Sequence, residues 1–326
     1  MRALLVAALM GGGVALAEPV TLRMAAVAPD GTAWARELRA YARDVEQATS
    51  GEVRIRWYLG GIAGDEAQAL TRVERGQLDG LAGSMVCQRL SPSLRAVRAA
   101  GLFRSAEESR WVMARLKADI DKELGQGGFV NLGQGQFGDD ALFARQPVRS
   151  LAEMRRLRWF VWDLDPVSQR LATAMGLQTV PLALVDAGRA YDQGRIDGFI
   201  ATPTAALAYQ WSAQTRFVVP LRTAMLPACM VVAQRAYDAL PLAAQEVVRA
   251  AAAKFFVRFN DLSSSQEAQL LGGLFEKQGV ATLAPSVAFV DEFRRAAELG
   301  RRQLGDVVPV ARLQDIVGWL DERRKR

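Results

Sequence analysis

Histidine is absent from this chain of 326 residues, and its absence removes many familiar arrangements of catalytic side chains. Neither a Ser–His nor a Cys–His nucleophile pair can form, and no zinc site can use imidazole. The carboxylate pair Asp139–Asp140 remains. Neighbouring residues on a strand face opposite sides, so this pair does not by itself supply a general acid and base. We expect no enzyme, no cofactor and no metal, and a hydrolase that uses carboxylates alone stays as an alternative.

Residues 133–138 read GQGQFG and match the dinucleotide-binding fingerprint letter for letter. That fingerprint requires a helix directly after the glycines, because the free N–H groups of the helix bind the pyrophosphate. Here Asp139–Asp140 and a strand-like segment follow instead. The glycines are therefore predicted to let the backbone cross tightly between two lobes, or to leave room for a ligand.

Two segments more than a hundred residues apart carry nearly the same sequence, RGQLDGLAGS at 75–84 and QGRIDGFIAT at 193–202. Each follows a helical pattern, and its first glycine suits the end of a helix. An Asp-Gly then turns the chain into a short apolar strand. The repeat predicts two α/β lobes with a cleft between them. Ligands of such sheets bind beyond the carboxyl ends of the strands, which places Ser84 and Thr202 at the cleft.

The surrounding pattern predicts the elements that hold these segments. Strands and helices alternate as β-α-β-α-β from residue 21 to the first Asp-Gly, the start of a doubly wound lobe. Residues 107–124 are predicted to form one helix, and residues 129–133 a strand. Two long helices are expected at 242–269 and 287–300.

The N-terminus has the features of a secretory signal peptide. Arg2 precedes an apolar run, and Ala15-Leu16-Ala17 forms a small-x-small cleavage site, which predicts removal of residues 1–17. The apolar run is too short to span a bilayer. We expect a soluble protein exported to a bacterial periplasm. The net charge of +6 is small for a chain with 23% charged residues, and it gives no reason to expect nucleic-acid binding.

Cys87 and Cys229 are the only cysteines. An oxidising compartment permits a disulfide between them, and two buried thiols in strand-like surroundings are an equally ordinary arrangement. The sequence alone does not fix the distance between them, so both alternatives stay open.

Several segments together resemble the extracytoplasmic solute receptors of TRAP transporters, the DctP family. They are AYARDVEQATSGEV at 40–53, GD at 64–65, GQLD at 76–79, PVRSLAEMRRLR at 147–158 and YDQGRIDG at 191–198. The resemblance covers essentially the whole chain after the signal peptide, and it rests on the order and spacing of these segments rather than on any one of them.

The resemblance implies an α/β, two-lobed periplasmic solute-binding fold with a central cleft, discontinuous lobes and a long spanning helix. Lobe I would comprise residues 18–138 and about 215–255, and lobe II residues 139–214 and about 256–326. It also implies a receptor that closes on a small-molecule ligand and delivers it to the TRAP membrane permease.

One position departs from the family pattern. Typical members carry an arginine that pairs with the ligand carboxylate, and alignment through residues 154–159 puts Phe160 there. The asparagine that usually follows the second Asp-Gly unit is also missing, and Ala201-Thr202-Pro203 stands in its place. A phenylalanine cannot make the bidentate pair with a carboxylate. The departure therefore predicts an apolar or amphipathic ligand, as in the TatP-type branch, whose receptors pair with a tetratricopeptide-repeat partner.

The predicted ligand contacts are aromatic, apolar and hydroxyl side chains from both lobes: Trp34, Ser84, Met85, Phe137, Phe160, Trp162, Thr202 and Tyr209. Strand alternation puts Phe160 and Trp162 on one face and Trp159 on the other, and we expect the first face to meet the cleft. Three alternatives remain. They are a conventional organic-acid receptor with a relocated arginine, such as Arg89 or Arg222, a carboxylate-based periplasmic enzyme, and an interaction protein without a ligand.

Overall fold

Eleven strands form two sheets in the computed structural model, which describes residues 18–325, so the predicted signal peptide lies outside the described residues. In chain order the strands are β1 (Val20–Ala25), β2 (Val53–Tyr58), β3 (Gly80–Gly83), β4 (Phe129–Asp139), β5 (Ala141–Ala144), β6 (Arg158–Trp162), β7 (Gln178–Leu182), β8 (Gly198–Ala201), β9 (Phe217–Val219), β10 (Met225–Ala233) and β11 (Ala281–Thr282).

Helices pack on both faces of each sheet. In chain order they are α1 (Ala33–Ala48), α2 (Glu66–Glu74), α3 (Met85–Leu90), α4 (Pro92–Ala96), α5 (Ala106–Arg115), α6 (Lys117–Gln126), α7 (Leu151–Arg155), α8 (Pro166–Ala174), α9 (Leu184–Asp192), α10 (Pro203–Ala208), α11 (Gln234–Asp238), α12 (Leu242–Gln269), α13 (Phe275–Lys277), α14 (Val287–Arg301) and α15 (Val310–Lys325). Among residues 18–325, none of these helices combines the length and the apolar character that crossing a membrane requires.

The two sheets share one arrangement. The first has the order β2-β1-β3-β10-β4, and the second, taken from its opposite edge, β7-β6-β8-β5-β9-β11. In both, the first three strands are parallel, and the fourth strand pairs antiparallel with its neighbours. The predicted two-lobed α/β fold is therefore confirmed.

The aspartate of the repeated Asp-Gly makes the same hydrogen bonds to an arginine in each sheet. Asp79 accepts hydrogen bonds from the backbone N–H and the guanidinium of Arg23 on β1, at 2.8 and 2.9 Å. Asp197 binds Arg158 on β6 in the same way, at 2.9 Å for both contacts. Asp79 thus joins the turn before β3 to the neighbouring strand β1, and Asp197 joins the turn before β8 to the neighbouring strand β6. The sequence repeat pointed to the turn, but the partner arginine was visible only in three dimensions.

The chain passes between the sheets several times, and α12 belongs to both lobes. This helix has 28 residues and a length of about 42 Å. Phe255 and Phe259 on it pack in the core of the first sheet. Leu270, directly after it, packs in the core of the second sheet. The expected long spanning helix is therefore present.

The strand pairing also indicates where the chain returns to the first lobe. Since β9 pairs in the second sheet and β10 in the first, the return lies between Val219 and Met225. We propose to set the lobe boundary there, a few residues beyond the position near 215 that the resemblance implied.

Three local predictions were wrong. Residues 107–124 form two helices, α5 and α6, because the chain turns at Leu116 and buries that side chain in the core. The strand expected at 129–133 continues to Asp139, since β10 pairs along its whole length and compensates for the glycines. This placement of GQGQFG inside β4 agrees with the prediction that it binds no nucleotide.

The third wrong prediction concerns the strand-like surroundings expected for Cys87. β3 ends at Gly83, and α3 begins at Met85. The carboxyl group of Glu66 accepts hydrogen bonds from the backbone N–H groups of Ser84 and Val86, at 3.1 and 2.8 Å. These are N–H groups that the start of a helix leaves without partners, so Glu66 stabilises the helical turn.

Cys87 and Cys229 form a disulfide bond, so the structure decides between the two alternatives that the sequence left open. The bond joins α3 to β10 next to the paired strands β3 and β10, where Cys229 lies opposite Gly83. Its Cα atoms are 5.7 Å apart, within the range that a disulfide spans.

Candidate functional site

A cavity of about 490 Å³, called the main cavity below, lies between the two lobes. All eight predicted contact residues line it: Trp34, Ser84, Met85, Phe137, Phe160, Trp162, Thr202 and Tyr209. The fold thus brings together residues that lie up to 175 positions apart in the chain. That they bind a ligand stays a prediction.

Ser84 and Thr202 lie at equivalent points, directly after β3 and β8. The Thr202 hydroxyl accepts a hydrogen bond from the backbone N–H of Ala205 at 3.2 Å and so caps α10. The Ser84 hydroxyl accepts one from the side-chain amide of Gln88 at 3.3 Å. Both hydroxyl groups therefore already have protein partners, which limits what they offer to a ligand.

The wall from the second lobe is aromatic. Phe160 is 2% exposed and packs against Trp211, with ring centroids 5.1 Å apart. Trp211 is stacked between Phe199 and Tyr209, at 4.9 and 5.1 Å. Phe160, Tyr209 and Trp211 line the main cavity together with Trp162, and Phe199 lies behind them in the core.

Both faces of β6 reach the main cavity, the expected face through Phe160 and Trp162 and the other face through Val161. Phe160 and Trp162 line the main cavity, whereas Trp159 is fully buried on the other face and donates to the carbonyl of Met154 at 2.8 Å. The alternation of side chains along β6 is therefore sufficient to place these two residues.

The first lobe contributes a second aromatic group. Phe137 on β4 makes edge contacts with Trp34 on α1 at 4.6 Å and with Phe259 on α12 at 5.2 Å. The Tyr209 hydroxyl, from the other lobe, donates to the carbonyl of Val27 at 3.1 Å. Aromatic side chains from both lobes thus meet across the cavity.

Arg98 lines the main cavity and is a candidate site residue that the sequence reasoning missed. Its guanidinium lines the main cavity, is 6% exposed, and forms ion pairs with Asp140 at 2.6 Å and Asp165 at 2.8 Å. Burial alone would lower the pKa of Arg98, but the two aspartates raise it above its ordinary value. A lone arginine inside the apolar run AVRAA at 96–100 is the sequence signal that could have identified it.

Because two carboxylates surround this guanidinium, the group as a whole carries an excess negative charge. It cannot offer the free cation that a carboxylate ligand needs. The two arginines considered from the sequence do not line the main cavity. Arg222 pairs with Asp139 at 2.6 Å, and Arg89 lies at a smaller neighbouring cavity.

Glu66 also lines the main cavity and is 3% exposed. Burial raises the pKa of Glu66 from 4.5 to about 7, although the N–H groups of Val86 and Ser84 act in the opposite direction. The nearby Asp65 raises the pKa further. The carboxyl group therefore changes its charge near neutral pH.

This carboxyl group predicts a pH dependence of stability. A raised pKa in the folded state stabilises the protein below the unfolded value of 4.5, and this contribution is lost as the pH rises through about 7. We expect the free energy of unfolding to fall by on the order of 3 kcal/mol through Glu66 over this window. Urea unfolding at pH 4.5, 6 and 8 measures it.

The Glu66→Gln variant is the comparison, and its stability should depend less on pH. Part of the fall should remain, because burial raises the pKa of Glu267 on α12 to about 7 as well. A variant with the same pH dependence as the natural sequence would show that Glu66 does not titrate in this range.

Among residues 18–325 no group of three or more carboxylate, histidine or cysteine side chains is arranged to hold a metal ion. A largely apolar cavity between two α/β lobes, with polar side chains among its lining, is the arrangement typical of a solute-binding protein.

Comparison with known proteins identifies the family. Residues 24–299 match the model of DctP, bacterial extracellular solute-binding protein, family 7, and the chain belongs to this family. Its members are extracytoplasmic receptors rather than enzymes, so the expectation of no enzyme is confirmed. Curated protein sequences give no match.

Solved structures with the same fold are TRAP periplasmic solute-binding proteins. One from Haemophilus influenzae, with bound L-gulonate, has a TM-score of 0.84 at 17% identity and covers 93% of this chain and 99% of its own. A Bordetella pertussis receptor binding pyroglutamic acid has a TM-score of 0.83 at 19% identity, covering 94% and 100%. One from Bordetella bronchispeptica, described with pantoate, has 0.82 at 19% identity, covering 91% and 98%.

Proposed function

We propose that this protein is the periplasmic receptor of a TRAP-type transporter and binds an apolar or amphipathic small molecule. The observation that carries the proposal is the state of Arg98, the deeply buried cation of the main cavity, which two aspartates neutralise. A ligand at this site cannot rely on an ion pair with it. The main cavity offers aromatic surface from both lobes, and its other arginine, Arg36, is exposed to solvent.

The largely apolar lining of the main cavity favours an apolar ligand surface. Burial of apolar ligand surface yields about 25 cal/mol per Å², without the cost of desolvating an ion pair. Contacts to Phe137 and Trp34 on one side and Phe160 and Trp162 on the other would stabilise the closed arrangement of the lobes. Ligand binding would thus be coupled to closure.

Delivery to the TRAP membrane permease completes the proposed function, after export and removal of residues 1–17. A tetratricopeptide-repeat protein, as in the TatP-type branch, is a proposed periplasmic partner. The permease follows from the family, whereas the repeat-protein partner is proposed from the replacement of the family's arginine by Phe160.

The second candidate ligand is a small organic acid. Its support is that the similar solved structures are described with pantoate, pyroglutamic acid and L-gulonate, all of which are acids. A receptor of this kind would need a cation other than Arg98 at the ligand carboxylate.

The deciding experiment is native mass spectrometry of the protein purified from the periplasm of its host, followed by solvent extraction of whatever it carries. We expect a lipid-like molecule. An empty protein, or one that carries a small polar acid, would contradict the apolar ligand and support the second candidate.

A mutational prediction accompanies this experiment. Phe137→Ala should weaken binding of the extracted ligand at least about tenfold, because it removes the ring between Trp34 and Phe259. The matched control is Val257→Ala, which shortens a 63% exposed side chain on α12. Titration by tryptophan fluorescence measures both. Equal affinities in the two variants would show that the ligand does not contact Phe137.

A further inference from the structure

A second cavity of about 170 Å³, called the side chamber below, adjoins the main cavity. It lies between the lobes, with α2 and α3 on one side and the segment before α8 on the other. Its lining residues are Glu66, Ala67, Leu70, Met85, Val86, Gln88, Arg89, Arg95, Leu164 and Pro166. Glu66 and Met85 line both cavities, so their side chains form the wall between them.

The side chamber has two cations, Arg89 and Arg95, that no carboxylate within residues 18–325 pairs with. Arg95 is half-buried, and its guanidinium donates only to backbone carbonyls, at 2.9 Å to Gln88, 3.2 Å to Arg89 and 3.4 Å to Val307. Within residues 18–325 neither Arg89 nor Arg95 forms an ion pair with a carboxylate. This is the opposite of Arg98, which has two such partners.

The chamber also contains hydrogen-bond acceptors. The side-chain oxygen of Gln88, a residue that is 3% exposed, has no hydrogen-bond partner among the described residues. Glu66 is the one carboxyl group of the lining, and its oxygens accept from the N–H groups of Ser84 and Val86. A buried acceptor without a donor is costly, so an occupant of this chamber should bring a donor as well as a negative charge.

We propose that the side chamber binds the head group of an amphipathic ligand, and that this head group is anionic and carries a hydroxyl. The negative charge would lie at Arg89 and Arg95, the hydroxyl would donate to Gln88, and the apolar part would lie in the main cavity. Met85 forms the wall between the two spaces, and its flexible thioether side chain can move aside. This inference rests on the proposed function.

This arrangement is consistent both with the paired state of Arg98 and with the acids described in similar solved structures. The main cavity has no free deeply buried cation, yet the similar solved structures are described with acids. In this chain a carboxylate would be bound through cations outside the aromatic cavity, and the apolar part of the ligand would fill the space inside it.

Two probes with the same chain and different head groups test the inference. 2-Hydroxydecanoate carries a carboxylate beside a hydroxyl, and 1,2-decanediol replaces the carboxylate with a neutral CH₂OH group. Isothermal titration at pH 6, below the raised pKa of Glu66 in the chamber wall, should give at least about tenfold tighter binding of the acid, from a charge-assisted hydrogen bond. Arg89→Gln and Arg95→Gln should reduce this preference severalfold and leave diol binding unchanged.

Arg72→Gln is the control, since it removes an exposed arginine of α2 that does not line either cavity. Arg89 is exposed and its replacement should not affect folding, so Arg89→Gln carries the test if Arg95→Gln is unstable. Equal affinities for acid and diol, or a preference that both variants keep, would overturn the side-chamber assignment alone. If neither probe binds, the apolar ligand of the proposed function is wrong, and this inference fails with it.

Discussion

Replacing Arg98 with methionine is expected to destabilise the protein by about 3–5 kcal/mol at neutral pH. The guanidinium is buried and pairs with Asp140 and Asp165, both of which are 2% exposed or less. Removal of the cation leaves two carboxylates close together in a site with little water. Methionine fills much of the space, so the loss is mainly electrostatic. Urea unfolding at pH 7.5 measures the effect.

Acid should reduce this loss. As the pH falls towards 4.5, protonation of Asp140 removes part of the uncompensated charge. Burial raises the pKa of Asp140 above its ordinary value, because the effect of burial is larger than the opposing effect of Arg98. The difference in stability between the Arg98→Met variant and the natural sequence should therefore be smaller at pH 4.5 than at pH 7.5.

The matched control removes all three charges. A variant with Arg98→Met, Asp140→Asn and Asp165→Asn should recover most of the lost stability, because replacing a whole buried ion-pair group is far less costly than breaking it. If the Arg98→Met variant unfolds at the same urea concentration as the natural sequence, the ion pairs do not contribute to the stability of the folded protein.

Removal of the disulfide is the second large effect. The double variant Cys87→Ala, Cys229→Ala should lose about 2–5 kcal/mol of stability. The bond closes a loop with a sequence separation of 142 residues, so it strongly restricts the unfolded chain. Both sulfur atoms lie in the core, where Cys87 is fully buried and Cys229 is 2% exposed. Urea unfolding with and without a reductant measures the loss.

The reductant provides the control for this prediction. It should destabilise the natural sequence to about the level of the double variant, and it should not change the variant. Because the bond joins α3 to β10 within the first lobe, the reduced protein should still bind ligand while it remains folded. A natural sequence that unfolds identically with and without the reductant would show that the bond does not contribute.

The fold was predictable from the sequence where local pattern and repetition agreed. The Asp-Gly repeat identified two similar lobes, and the strand alternation at 158–162 assigned Phe160 and Trp162 to the cleft. Where glycines weakened the local signal, the prediction failed. β4 extends to Asp139 because β10 pairs with it, and this pairing joins residues about 90 positions apart.

The eight predicted contact residues meet at one cavity because each lies at a point that local reasoning can identify, such as the end of a strand or an aromatic face. Arg98 was missed for the opposite reason. Its partners Asp140 and Asp165 come from other parts of the chain, so nothing near Arg98 marks it as paired. Arg95 and Gln88 were missed as well, since the side chamber exists only where the two lobes meet.

The sequence by itself determined the family, the two α/β lobes and the aromatic character of the cleft, because periodicity, turn residues and the repeated motif are local properties. The tertiary structure alone decided that the cysteines are bonded, that Arg98 is neutralised, and that no carboxylate within residues 18–325 pairs with Arg95. These facts depend on distances between segments remote in the chain. The charge that a ligand meets in this cleft is set by those distances, and no local pattern encodes them.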